Sequence, residues 1–283
     1  RFENVELEVP DFTTVAGANN TFVEGGEPSF EELLGNAGIV FDVTEDLTLF
    51  ASYAEGFTMP DAGLILRGVN TPGQTIDDLV DLQPVVADNL ETGINFRRGG
   101  LDLAASYFWS DSDLGSRILV VDGVGQITRQ KTEIEGLEVS AAYHFDSGVS
   151  TGIAYSQLEG RFDSDGDGSV DKDLDGRNIA PDRINLYVEA PLAANWHGRL
   201  QYARLLDRDF DGGLPQHDFD GYGLLDAVIS YRNEQLGDFT LGIENLLDEE
   251  YITYYSQTLT YVNDSTYFAG RGRAVSLGWQ KTF

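Results

Sequence analysis

Apolar and polar residues alternate with a strict period of two, and the alternation returns in segment after segment. About twelve segments carry it, near 2–9, 36–44, 47–56, 88–97, 100–110, 129–145, 148–159, 180–190, 195–206, 220–232, 237–246 and 269–283. A period of two places each set of side chains on its own face of a strand. Leu101, Leu103, Ala105, Tyr107 and Trp109 fall on one face, against Asp102, Ala104, Ser106 and Phe108. Leu137, Val139, Ala141, Tyr143 and Phe145 oppose Glu138, Ser140, Ala142 and His144 in the same way. Near the end, Val275, Leu277, Trp279 and Phe283 oppose Ala274, Ser276, Gly278, Gln280 and Thr282, with Lys281 breaking the apolar set. Most segments run to about ten residues, beyond the soluble-strand mode of about five or six. That length suits a tilted strand crossing a bilayer.

The connections alternate as well. Short turns at 44–46, 97–100, 146–148, 191–195 and 233–237 separate long connections at 10–35, 57–87, 111–128, 160–179, 207–219 and 247–268. Tight turns at one end and long loops at the other are the layout of an outer-membrane barrel, with the long loops outside the cell. Long loops without regular structure argue against a compact soluble domain, and a propeller or sandwich lacks this asymmetry. The expected fold is therefore all-β, an antiparallel transmembrane β-barrel. Closing the sheet satisfies every backbone group inside hydrocarbon. Tyr53, Trp109, Tyr143, Trp196, Tyr231 and Trp279 lie near segment ends, where interfacial girdles form. The opening residues RFENVELEV already alternate, and no basic-then-apolar leader precedes them, so the chain is expected to begin mid-structure.

The net charge of −30, with only three Lys in 283 residues, excludes a phosphate-binding surface and with it nucleic acid. Cys is absent, and His144, His197 and His217 sit in no triad or zinc spacing, so no enzyme is expected.

Residues 163–176, DSDGDGSVDKDLDG, resemble a calcium loop. Asp163, Asp165, Asp167, Gly168, Ser169 and Asp171 match positions 1, 3, 5, 6, 7 and 9 of an EF-hand-like loop. Position 12 is Leu174 in place of Glu, and Asp173 or Asp175 is left to supply the missing carboxylate. Strands flank the stretch, so it is no helix–loop–helix sensor. It reads either as a loop holding a structural Ca²⁺ or as a solvated acidic tip.

Seven pieces, in order, resemble the TonB-dependent siderophore receptors: GIVFDVTEDLTLFASYAEGFTMPD (38–61), DNLETGINF (88–96), TEIEGLEVSAAY (132–143), NIAPDRINLYV (178–188), GYGLLDAVISYR (221–232), LGIENLLDEEYITYYSQ (241–257) and GRGRAVSLGWQKTF (270–283). The resemblance covers the whole chain and corresponds to roughly the second half of a barrel of about 22 strands. GFTMPDAGLILRG (56–68), ENLLDEEYITYYSQ (244–257) and the GRGR stretch (270–273) place it nearest receptors of the aerobactin and vibrioferrin type. It implies TonB-energised uptake of a ferric siderophore across the outer membrane, with Fe³⁺-siderophore as cargo and no required cofactor. The partners it implies are the siderophore, outer-membrane lipid and the TonB–ExbB–ExbD complex, reached through a plug domain that lies upstream in the family. Residues 1–283 are then the C-terminal part of the barrel, without plug or TonB box. An anionic ligand met by a strongly acidic protein needs local cations and aromatic groups. The candidates are Arg67, Arg117, Arg177, Arg208 and Arg271, with Tyr254, Tyr255, Tyr261 and Tyr267. The competing function is a stand-alone passive pore; an adhesive or phage-binding surface is a third.

Overall fold

The computed structural model describes the chain except residues 15–19, 77, 78, 80, 81, 122, 123, 211–217, 259–267 and 283. Its strands are β1 (Phe2–Glu6), β2 (Phe12–Thr13), β3 (Phe22–Val23), β4 (Ser29–Leu33), β5 (Asn36–Asp42), β6 (Leu47–Thr58), β7 (Val85–Arg98) and β8 (Leu101–Val121), then β9 (Val124–His144), β10 (Ser150–Phe162), β11 (Lys172–Asp173), β12 (Arg183–Ala193), β13 (Trp196–Leu205), β14 (Gly223–Asn233), β15 (Gly237–Glu244) and β16 (Ala274–Gln280). Two short helices, α1 (Ala62–Gly68) and α2 (Tyr254–Thr258), lie in long connections. The strands from β5 to β16 form one antiparallel meander in chain order, with β11 attached to β10 off the path. Within the described residues the sheet stays open, with β5 and β16 as its edges.

Each of the twelve alternating segments contains a strand. The short strands β2, β3, β4 and β11 form within stretches expected as connections, and two boundaries differ most from expectation. The first strand stops at Glu6 and pairs with β4 outside the large sheet. Residues 111–128, expected as a long loop, continue as strand: β8 and β9 are 21 residues each and stay paired up to Val121 and Val124. The physical reason is a bulge between Ser112 and Gly115, which shifts the alternation by one residue and hides it from a strict period-two reading.

The register sorts the two faces. On one face Trp196, Tyr231, Phe239 and Trp279 lie directly opposite one another across four strands. The Trp196 and Tyr231 rings are 4.8 Å apart. One row in from them come Gly198, Ile229, Leu241 and Leu277, then Leu200, Ala227, Ile243 and Val275. Many large apolar groups of this face are exposed, Leu277 by 84%. An exposed apolar band bordered by aromatics is the exterior of a membrane barrel. The opposite face lines a concave wall with Asn95, Ser106, Glu138, Ser140, Ser156 and Asn185. Here rings of Phe50, Phe108 and Tyr187 lie over the directly opposed Gly93, Gly136 and Gly152. A Cβ on Gly93 would come within 2.6 Å of the Phe50 ring, so glycine is what lets the aromatic lie flat on the wall.

Among the described residues, hydrophobic cores form at the loop end of the sheet and beyond it. Val23, Ile65, Val69, Ile76 and Leu82 make one, joining α1 to the connections on either side. Phe162, Leu174 and Ile179 make the other, at the far end of β10.

Candidate functional site

The described parts of three long connections, 160–182, 207–210 with 218–222, and 247–258, knit into one cap at the end of the sheet where the long loops gather. The seat is Phe162, 2% exposed, covered by Leu174 and Ile179. The segment that covers it is fixed by side chains standing in for backbone ladder partners. Asp175 accepts from the Arg177 N–H at 3.1 Å and from Asn178 Nδ2 at 2.6 Å. The Asn178 amide accepts from the Ile118 N–H at 2.9 Å and donates to the Ile118 carbonyl at 3.0 Å, clasping the upper edge of β8. From the other side α2 closes in. Tyr254 donates its hydroxyl to the Ile179 carbonyl at 2.7 Å and meets the Phe219 ring edge-on at 4.8 Å. Burial pushes the Tyr254 hydroxyl up to about 12, with Arg208 acting against the shift and Asp175 adding to it. Gln257 bonds Asp220 through both of its backbone groups, and Thr258 donates to the Gly176 carbonyl at 3.3 Å.

The candidate cations divide by environment. Arg208 donates to the carbonyls of Leu158 and Ala180 at 3.0 and 2.9 Å and staples the cap to β10. Arg177 is buried and paired with Asp175 at 3.8 Å. Arg271 pairs with Glu244 at 3.3 Å on the surface. Arg67 occupies the last turn of α1, beside the other core. Arg117 is the unusual one. The residue is 9% exposed, its guanidinium stacks on the Phe162 ring at 4.1 Å, and its Nε has no hydrogen-bond partner. Arg117 stands 16 residues beyond the Leu101 end of β8, outside the bilayer span of about ten residues. Burial lowers its pKa from the usual arginine value; Asp175 opposes the shift and Arg177 adds to it. Thus Arg117, Arg177, Arg208 and Tyr254 come together in the cap, while Arg67 and Arg271 lie apart. Tyr255 is 62% exposed beside Tyr254. Tyr261 and Tyr267, like His217, fall outside the described residues.

The acidic tip folds around one carboxylate. Asp163 accepts from the N–H groups of Asp165, Gly166 and Gly168, the last two at 2.7 and 2.8 Å. These bonds, that from Gly168 foremost, hold its pKa below the ordinary carboxylate value, against a partial opposing effect of burial. Gly166 and Gly168 take φ of +80° and +91°, which only glycine adopts freely. Carboxylate oxygens of Asp163, Asp165 and Asp167 lie within 4.8 Å of one another, close enough to share one hard cation. Asp171 instead accepts from both the N–H and the hydroxyl of Ser164 at 2.8 Å, and Ser169 donates its N–H to Asp167. Asp173 faces Arg161 at 3.9 Å, and Asp175 accepts from Arg177 and Asn178 inside the cap, so the carboxylates grouped closely enough for a shared cation among the described residues are Asp163, Asp165 and Asp167.

Sequence reasoning assigned no role to Asn178, Phe219, Gln130 or Thr258. Asn178 lies inside a recognised stretch, but nothing local marks an amide that completes a ladder with a strand 60 residues away.

Residues 1–246 match the family described as TonB dependent receptor-like, beta-barrel. The ferric aerobactin receptor of Klebsiella pneumoniae is 25% identical over all of this chain and 41% of its own length. The rhizobactin receptor of Rhizobium meliloti is 22% identical over all of this chain and 40% of its own. The chain thus spans about two-fifths of the curated relatives it matches. Among solved structures, the copper transporter OprC superposes with a TM-score of 0.75 at 17% identity, over 98% of this chain and 43% of that one. The ferric-catecholate import receptor Fiu of Escherichia coli K12 gives 0.66 at 19% identity, over 97% and 40%. Sheet order, face sorting, loop asymmetry and the match across most of the sequence agree: the chain belongs to the TonB-dependent receptor β-barrel family.

Proposed function

We propose that this chain is the C-terminal part of an outer-membrane receptor that takes up ferric siderophores of the citrate–hydroxamate or carboxylate type, driven through TonB by a plug contributed from upstream sequence. The observation that carries the reading is the alignment of receptors for ferric aerobactin and rhizobactin along the whole chain. The architecture supports it. Beside the polar concave wall, the cap gathers Arg117, Arg177 and Arg208, so a −30 chain concentrates cations at the end of the sheet where the long loops lie. No covalent chemistry is required of the protein; its residues bind and orient the cargo. At the acidic tip, Asp163, Asp165 and Asp167 are the residues that would hold Ca²⁺, which would tie the tip together.

Titrating the purified intact receptor with ferric aerobactin tests the reading through quenching of its tryptophans. Saturable binding, with iron uptake that stops when TonB is deleted, is the expected result. No binding, together with steady single-channel conductance in a planar bilayer, would favour the passive pore.

A further inference from the structure

Above the bulge, Gln130 lies opposite Gly115 and Arg117 opposite Thr128, so Arg117 and Gln130 are diagonal neighbours on one face of the β8–β9 hairpin. Phe162 sits across β9 on the same face, opposite Thr132, and Arg117 reaches over this row to stack on its ring. Both Arg117 Nε and Gln130 Nε2 are buried donors without an acceptor. Native interiors leave few such groups, and each needs a reason. A buried guanidinium needs a countercharge as well as hydrogen bonds. Asp175 is near enough to act on Arg117, but no hydrogen bond joins the two: its Oδ1 accepts from the Arg177 N–H and Asn178 Nδ2, and its Oδ2 faces the Arg177 guanidinium at 3.8 Å.

We propose that Arg117 and Gln130 form an oxyanion pocket beneath residues 174–179 that takes one carboxylate of the cargo. The assignment rests on the siderophore reading above. Guanidinium and amide N–H groups are donors, and a carboxylate has the charge and the lone pairs to answer two at once. Phe162 forms one apolar wall of the pocket. Gly115 keeps the floor next to Gln130 low, because a Cβ there would run into the Thr132 side chain. Entry requires the Asn178–Ile118 clasp to part, which couples occupancy to movement of the cap.

The test uses the intact receptor, with ferric aerobactin, free citrate and inorganic phosphate as probes, in wild type, Arg117→Met, Arg117→Lys and Gln130→Leu. Arg117→Met should weaken ferric aerobactin and citrate by roughly 10- to 100-fold, and Gln130→Leu by roughly fivefold. Arg117→Lys, which keeps the charge but loses the fork, should fall between them. An unchanged melting midpoint shows that a variant is folded; if Arg117→Met is not, the other two carry the comparison. Equal ferric aerobactin binding by wild type and all folded Arg117 variants would overturn the pocket and leave the siderophore reading standing. Arg117-dependent citrate binding without ferric aerobactin binding would keep the pocket and remove the siderophore reading. Phosphate competing as well as citrate, or no carboxylate binding at all, would overturn the carboxylate assignment.

Discussion

The sheet and the cap of this molecule hold their shape by different means. In the sheet, order comes from long ladders of backbone bonds, and the large apolar side chains point away from the protein, with Leu241 between Ile229 and Leu277 in one outward row. In the cap, few backbone ladders exist. Buried Phe162, Leu174, Ile179 and Phe219 supply apolar contact, and side chains such as Asn178, Gln257 and Thr258 satisfy backbone groups of distant segments. The sheet needs a lipid solvent to be stable, whereas the cap carries its own core. Regular pairing can therefore tolerate sequence change on its faces, while the cap depends on individual atoms.

Five measurements would break or sharpen that contrast. The largest effect is expected from Phe219→Ala, which empties the contact with Tyr254 and should cost the cap about 3–5 kcal/mol. Cap connections should then be cleaved by protease while the far-ultraviolet β signal persists; a simultaneous loss of both would mean that cap and sheet unfold as one. Next is Leu241→Arg on the outward row, expected to destabilise the sheet by about 2–4 kcal/mol in denaturant titrations in lipid, and by far less if that row does not face hydrocarbon. Asn178→Ala removes the clasp and should cost about 1 kcal/mol, read as faster hydrogen exchange at the Ile118 amide. Exchange at Ile118 unchanged from wild type would assign the edge to other contacts.

The smallest effects lie at the acidic tip. Because folding lowers the Asp163 pKa, its contribution is complete above the ordinary carboxylate value of about 3.9. It is lost as the pH falls through the lower folded value. The protection of the Gly166 and Gly168 amides, relative to intrinsic exchange at each pH, should fall in that acid window and stay level from pH 5 to 7. In neutral buffer, adding Ca²⁺ should slow proteolysis between Asp163 and Asp175, and chelation should reverse it. Identical cleavage in both conditions would mean a solvated tip without a metal.

The contrast also explains what was legible in the sequence. Every strand of the meander from β5 to β10 and from β12 to β16 was marked because its two faces meet different surroundings, and period two records that directly, whereas the short β2, β3, β4 and β11 carry too few residues to show a period. The Trp196–Trp279 row was partly visible in the same way, although Phe239 needed the register to join it. The extension of β8 and β9 was not legible, because the bulge after Ser112 breaks the alternation and both faces there meet protein or water. The cap was less legible still. Arg117 could be named as a cation in a long connection, but its stacking on Phe162 depends on three strands being in register. Asp173 and Asp175 add tertiary partners that loop spacing did not show: Arg161 for the first, Arg177 and Asn178 for the second.

The paired hairpin of β8 and β9 has a consequence for what the cell surface displays. Its 21 residues span about 65 Å along the strand at roughly 3.3 Å each, far more than the apolar band of about 25 Å requires, even when tilted. The surplus stands above the lipid as a braced mast, clasped by Asn178 on one edge and packed by α1 near Ile127. A paired hairpin of this length fixes how far its upper strands stand from the apolar band, which an irregular loop of the same length would not.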